Sequence, residues 1–229
     1  WDGKVFAHGI NPFKFAPEEI NKYKSLKIQD PVYFHSHYGE NDQNELAILN
    51  DLKWENDIAL RYMERINHPD VPTIYPPLAQ YVFRFSQQIN VDSLLTLRII
   101  FLAFDLMGTV FIILALRALN LNQNFSLVYF WSPLMIKETY NSTHLDIIGI
   151  SCLCVSIYFL IRKRMVGSIF FLALSVLGKF YSAVLLPFYF QRVWFLAQEN
   201  RRSGTVTVTI HLILFCTVIT VFYLPFIDI

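Results

Sequence analysis

The sequence predicts an all-α membrane protein, in which a polar first segment (residues 1–93) precedes a polytopic bundle of about six apolar helices (residues 94–229). Hydrophobic residues make up 54% of the 229 residues and the mean hydropathy is +0.38, which is too apolar for an ordinary soluble domain. Charge is also uneven: nine Lys and Arg oppose thirteen Asp and Glu in residues 1–94, but ten oppose five in residues 95–229. An acidic part joined to an apolar part with basic loops favours a membrane protein over a nucleic-acid-binding one.

Short helices separated by loops are predicted for residues 1–93. Pro17-Glu18-Glu19 is typical of a helix start, and the apolar spacing over residues 44–66 predicts one amphipathic helix. Pro76-Pro77 opens a further helix, residues 79–89, with apolar side chains along one side. We expect this amphipathic helix to lie in the membrane interface.

Six apolar segments follow: residues 94–116, 125–136, 146–161, 166–178, 181–196 and 206–226. The first and the last are long enough to span a bilayer, which takes about 20 residues. The four between them are short, so they either thin the bilayer or line a cavity without crossing fully. Four short segments in a row favour the second, a concave space lined by protein near one face of the membrane. Asp105 lies within the first segment, where its carboxylate is expected to face other helices or water; a functional intramembrane carboxylate is the alternative. Three cysteines lie in apolar segments without metal-ligand or redox spacing: Cys152, Cys154 and Cys216.

Basic loops predict the orientation. Arg162-Lys163-Arg164 lies between the third and fourth segments, and Arg201-Arg202 lies between the fifth and sixth. Short basic loops stay cytoplasmic, and these two are an even number of segments apart. Residues 1–93, residues 137–146 and Lys179 are therefore predicted to face the extracytoplasmic side.

This topology gathers polar side chains at one face. The candidates are Asp2, Tyr75, Lys137, Glu138, Asn141, His144, Asp146 and Lys179. His144 and Asp146, close to a helix start, suit a cation, a substrate hydroxyl or, for Asp146, simple helix capping. Lys179 suits a phosphate, and the alternative is a lysine that reaches the membrane interface. No full zinc ligand set and no phosphate-binding or dinucleotide-binding glycine motif is visible.

An ordered set of motifs resembles the bacterial GT-C superfamily of membrane glycosyltransferases, which use polyprenyl-phosphate sugars. The first-loop motifs are Trp1-Asp2-Gly3-Lys4-Val5, Gly9-Ile10-Asn11-Pro12-Phe13 and Pro72-Thr73-Ile74-Tyr75-Pro76-Pro77-Leu78-Ala79-Gln80. The later motifs are Trp131-Ser132-Pro133-Leu134, Lys137-Glu138, His144-Leu145-Asp146, Leu177-Gly178-Lys179 and Leu185-Leu186-Pro187. The resemblance covers nearly the whole chain and implies a GT-C-like, mannosyltransferase-like enzyme in a bacterial inner or plasma membrane.

The resemblance also implies site roles. A carboxylate of the first outer loop takes the proton of the acceptor hydroxyl, and basic residues with an optional divalent cation stabilise the leaving lipid phosphate. Asp2, His144 and Asp146 are the candidate catalytic residues, and the substrate-binding candidates are Tyr75, Lys137, Glu138, Asn141 and Lys179. We expect the chain to be part of a longer protein. The resemblance places an acidic pair a few residues before the Trp-Asp-Gly motif, so the alternative to Asp2 is a base upstream of Trp1, in which case this fragment alone is inactive.

The implied partners are a polyprenyl-phosphate hexose donor, a glycan or lipid acceptor and the bilayer, without nucleic acid. Two other functions suit the same features. A transporter or flippase of lipid-linked saccharide would need the outer cavity but no chemistry, and it would more often place polar groups at the membrane midplane. A non-catalytic scaffold would need none of the outer-face side chains.

Overall fold

The computed structural model describes residues 1–227, which form helices and loops without a strand. The chain divides into two compact units. The first contains Trp1–Ile74 and Gln80–Ser93, and the second contains Tyr75–Ala79 and Leu94–Ile229.

Six helices supply the first unit. They are α1 (Asp2–Ala7), α2 (Pro17–Gln29), α3 (Pro31–His37), α4 (Glu40–Lys53), α5 (Asp57–Glu64) and α6 (Pro77–Ile89), which belongs to this unit from Gln80 onward. Buried side chains of the first five helices and their loops form one core: Val5, Ile10, Phe15, Ile20, Tyr23, Phe34, Tyr38, Leu46, Leu49, Leu52 and Met63. Proline is the first residue of α2, α3 and α6, a position where the missing N–H has no helical partner to lose.

The predicted single helix over residues 44–66 is wrong, because α4 ends at Lys53 and α5 begins at Asp57. Asn56 caps α5: its side-chain oxygen accepts a hydrogen bond from the Ala59 N–H at 2.7 Å. Leu52 and Met63 lie on either side of the break and are buried in the same core. The apolar spacing therefore continues across the break, so the spacing alone does not show that the helix is interrupted.

A buried ion pair joins α1 to the end of the first unit. Lys4 Nζ lies 2.8 Å from the Asp92 carboxylate and 2.6 Å from the Glu55 carboxylate. The Asn56 amide donates to Asp92 at 3.0 Å, and the Tyr62 hydroxyl donates to the Asp92 carbonyl at 3.1 Å. Burial alone would raise the pKa of Asp92, but the hydrogen bonds from Lys4 and Asn56 outweigh it and hold that pKa below its usual range.

In the described part of the second unit, up to residue 227, there are seven helices: α7 (Leu94–Ala118), α8 (Ser126–Phe130), α9 (Pro133–Ile136), α10 (Asp146–Ile161), α11 (Met165–Gly178), α12 (Leu186–Glu199) and α13 (Gly204–Tyr223). Short 3₁₀ turns cover Gln123–Phe125, Phe180–Leu185 and Leu224–Phe226. Helix α10 packs against α7 and α11, and α13 packs against α11 and α12. These contacts make a helical bundle.

Among the described residues, two helices are long and apolar enough to cross a membrane. They are Leu94–Ala118, which is α7, and Gly204–Phe226, which is α13 together with the 3₁₀ turn after it; their mean hydropathies are 2.6 and 2.2. Only 17% and 11% of their most apolar windows is buried. A core helix of a soluble protein would be largely buried, so this exposed apolar surface favours association with lipid.

The second apolar segment, residues 125–136, is not one helix. Helix α8 ends at Phe130, and α9 begins at Pro133 after Trp131 and Ser132. Proline has no N–H to donate and disfavours a helical conformation in the residue before it, which explains the break. The chain then continues into a π-helical turn, Lys137–Asn141.

Candidate functional site

Two glycines bring helices α10 and α11 into close contact. A Cβ atom on Gly178 would lie 3.0 Å from the Gly149 nitrogen and 3.1 Å from its Cα, so only glycine fits without a shift of the backbone. Ser175 strengthens the crossing, because its hydroxyl donates to the Gly149 carbonyl at 2.7 Å and lies 2.6 Å from the Ser182 hydroxyl. The crossing lies at the end of α11 and one turn into α10. It therefore places Lys179, the residue after α11, beside the start of α10.

Lys179 and Asp146 form an ion pair at this point. Lys179 Nζ lies 3.1 and 3.2 Å from the two Asp146 carboxylate oxygens, and it lies 5.8 Å from the centre of the Tyr75 ring. Asp146 is in the first turn of α10, where the helix dipole favours a negative charge. The Tyr181 hydroxyl lies 3.5 Å from the Asp146 carbonyl.

The exposure of this pair indicates what it can do. The side chains of Lys179 and Asp146 are 33% and 39% exposed, and an ion pair so open to solvent contributes about 0–1 kcal/mol to stability. Asp146 is therefore expected to compete only weakly with an anionic ligand for the Lys179 ammonium group. A phosphate group with more charge could replace it at Nζ without a large energetic cost.

The residues from Lys137 to Asp146 form a compact polar segment, which we call the site segment. His144 Nε2 lies 3.3 Å from the Glu138 carboxylate, and the His144 N–H donates to the Glu138 carbonyl at 2.9 Å. Lys137 Nζ lies 3.7 Å from the same carboxylate. Thr143 has a φ of +57°, a left-handed conformation that is rare for a β-branched residue. A π-turn followed by such strain is common at functional sites.

A carboxylate inside α7 contacts this segment. Asp105 is 4% exposed and accepts hydrogen bonds from the Tyr129 hydroxyl, at 2.9 Å, and from the Tyr140 hydroxyl. The residue faces neighbouring helices, as expected. Its contact with the site segment was not predicted from the sequence. A carboxylate in an apolar helix needs donors, and two tyrosines supply them, one in the second apolar segment and one in the site segment.

The structure brings some of the predicted site residues together. Lys179, Asp146 and Tyr75 form one group, and Lys137, Glu138 and His144 form another along the site segment. Asn141 is exposed, and its carbonyl accepts from Arg98 at 3.3 Å.

Asp2 lies in the first unit, in the first turn of α1, and its role stays a prediction. Within residues 1–227, no cluster of three or more His, Cys, Asp or Glu side chains is arranged to hold a metal ion.

Lys179 provides a positive charge that could bind an anionic group. Glu138 and His144 form a carboxylate–imidazole pair that could hydrogen-bond to a hydroxyl group or exchange a proton with it. The residues that carry both groups fall within one family match. Residues 67–197 match the family model described as alpha-(1->6)-mannopyranosyltransferase, N-terminal domain (MptA_B family). The match covers more than half of the chain.

The chain belongs to this mannosyltransferase family. No curated protein and no solved structure matches it. In this mannosyltransferase chain the matched range contains α7 to α11, most of α12, the site segment and Lys179, but not Asp2.

Proposed function

We propose that the protein is a GT-C-type membrane glycosyltransferase. It transfers a mannose-like hexose from a polyprenyl-phosphate donor to an acceptor hydroxyl at the extracytoplasmic face. Family membership supports the sugar and the reaction class. The single observation that carries the site is the Lys179–Asp146 pair, a weakly held and accessible cation beside Tyr75.

In this reaction the bond between the sugar C1 and the phosphate oxygen breaks, and a bond from the acceptor oxygen to C1 forms. The acceptor proton passes to a carboxylate base, for which Asp2 or a residue upstream of Trp1 is the candidate. The lipid phosphate leaves with the bonding electron pair, and Lys179 stabilises its charge in place of Asp146. His144 and Glu138 contact hydroxyl groups of the donor or the acceptor.

One contact and the direction of two helices support the proposed orientation. Lys163 Nζ lies 3.3 Å from the Glu199 carboxylate, so the two basic loops meet at one end of the bundle. Helix α10 runs from Asp146 towards that end, and α11 returns from it to Lys179. If the basic end is cytoplasmic, the Lys179–Asp146 pair faces the other side of the membrane.

The test uses membranes that carry the whole protein and a radiolabelled polyprenyl-phosphate mannose. We expect Lys179→Ala to lower the formation of covalent mannosyl product about 100-fold, because a charge that stabilises the leaving group is removed. His144→Ala should also lower it. Lys163→Ala is the matched control: it removes a lysine from a solvent-exposed ion pair at the other end of the same bundle.

Three outcomes would contradict the proposal. Wild-type transfer by both Lys179→Ala and His144→Ala would refute the site. An equal loss in Lys163→Ala would show that the effect is not specific to Lys179. Movement of the labelled lipid between leaflets without covalent product would favour a transporter of lipid-linked saccharide.

A further inference from the structure

Two polar side chains on α7 hold the same stretch of the site segment. Arg98 Nε donates to the Thr143 hydroxyl at 3.1 Å, and Arg98 Nη2 donates to the Asn141 carbonyl at 3.3 Å. Asp105 lies seven residues later, two helical turns along the same face, and accepts from the Tyr140 hydroxyl. One rigid helix therefore contacts the segment at residues 140, 141 and 143.

The two contacts differ in exposure. Arg98 is exposed, whereas Asp105 is buried, and a buried carboxylate is costly unless it accepts hydrogen bonds. Tyr129 and Tyr140 are its donors. Burial raises the pKa of Tyr140, and the hydrogen bond to Asp105 adds to the increase. The phenol therefore keeps its proton and remains a donor in neutral solution.

The held stretch is the strained part of the segment. Thr143 has its left-handed φ of +57° here, a conformation that costs about 1–3 kcal/mol and persists only where surrounding contacts hold it. The hydrogen bond from Arg98 is made to this residue. Glu138 and His144 lie on either side of the held stretch and are paired with each other at 3.3 Å.

We propose that Asp105 is a positioning residue, which together with Arg98 holds the site segment against α7 and keeps Glu138 and His144 in place for sugar transfer. The proposal rests on the proposed function for its catalytic consequence. Asp105 itself does not contact substrate: its carboxylate is satisfied by two phenols, and it acts through Tyr140.

The experiment compares two tyrosine variants of the whole protein. Tyr140→Phe and Tyr129→Phe each remove one hydroxyl from Asp105, but only Tyr140 belongs to the site segment. We expect Tyr140→Phe and Asp105→Asn to lower kcat for mannosyl transfer about tenfold or more, since the first removes and the second weakens the hydrogen bond between Tyr140 and Asp105. Tyr129→Phe should stay within about twofold of wild type, because the Asp105–Tyr140 bond remains. Thermal unfolding in detergent shows whether each variant is folded.

Hydrogen exchange of the peptide containing residues 137–144 is the second measurement. Exchange about tenfold faster in Tyr140→Phe and Asp105→Asn, but unchanged in Tyr129→Phe, supports the proposal that Asp105 holds the site segment through Tyr140. Unchanged exchange in all three variants overturns it. Equal loss of activity in both tyrosine variants, in proportion to lost stability, also overturns it, because Asp105 would then serve only folding. If wild-type membranes transfer no mannose, the proposed function fails. Hydrogen exchange still shows whether Asp105 and Tyr140 hold the site segment.

Discussion

Gly178→Ala tests the geometry on which the Lys179–Asp146 pair depends. The new methyl would lie 3.0 and 3.1 Å from two backbone atoms of Gly149 and 3.3 Å from Ile148 Cγ2. Backbone atoms inside a packed helix cannot turn away as a side chain can, so α10 and α11 must separate. Such overpacking costs about 1–3 kcal/mol, and the helix preference of alanine over glycine returns at most about 1 kcal/mol. The difference spans about 0–3 kcal/mol, and we expect a net loss near its middle, about 1–2 kcal/mol, or ~2–8 °C in Tm for a chain of this size.

The assay is thermal unfolding in detergent, with mannosyl transfer measured on the same preparations. Gly167→Ala is the control, since it makes the same substitution in the same helix, but the three atoms nearest to its new methyl, at 3.2–3.5 Å, belong to the Phe159 side chain and not to the backbone. We expect Gly178→Ala to lower both Tm and transfer, because the α10–α11 crossing fixes the position of Lys179, and Gly167→Ala to change both by less. If Gly178→Ala is as stable and as active as Gly167→Ala, the close approach of α10 and α11 does not occur.

Two further predictions concern the first unit. Gly3→Ala should destabilise it by about 2–3 kcal/mol, measured by urea unfolding, because the added Cβ would overlap the Phe83 carbonyl group and lie 2.6 Å from its carbon. Gly39→Ala, with its closest contact at 3.8 Å, is the control, and equal effects would contradict the packing. Lys4→Met should cost about 3–5 kcal/mol at pH 7 because it leaves the buried Asp92 charge without its lysine. The pKa of Asp92 is lowered in the folded protein, so its stabilisation is present above the ordinary value of 3.8 and is lost as the pH falls towards the folded pKa. Between pH 7 and pH 3, wild type should therefore lose more stability in urea than Lys4→Met; an equal loss in both would contradict the pairing.

Local patterns identify the helices because each depends on neighbouring residues. The proline pair and the apolar residues along one side of the following stretch predict helix α6. Unbroken apolar runs predict α10 and α11 close to their observed bounds. The break at Asn56 could not be read from spacing, since the apolar residues on both sides face one core. A capping residue mid-pattern was the available signal.

The candidate site depends on contacts between distant residues, and there the sequence is less informative. Charge counting predicted that Lys179 and residues 137–146 share a face, and the Lys179–Asp146 contact brings part of that set together. The distance between Lys4 and Asp92, 88 residues apart in sequence, follows only from the packed fold. The same holds for Asp105 and Tyr140, whose contact depends on how the chain turns after the Ser132-Pro133 break.

Asp105, which contacts the site segment, and Asp146, the last residue of that segment, have opposite surroundings, and this separates their roles. Asp105 is 4% exposed, and its oxygens accept from two neutral phenols, so any substitution leaves buried polar groups without partners. Asp146 is 39% exposed, and its partner Lys179 is itself open to solvent. Loss of Asp146 therefore costs little stability but leaves Lys179 with an uncompensated positive charge. A donor phosphate would meet that charge directly, so Asp146→Asn should fold normally and bind the polyprenyl-phosphate sugar at least as tightly as wild type, whereas Asp105→Asn should loosen the segment.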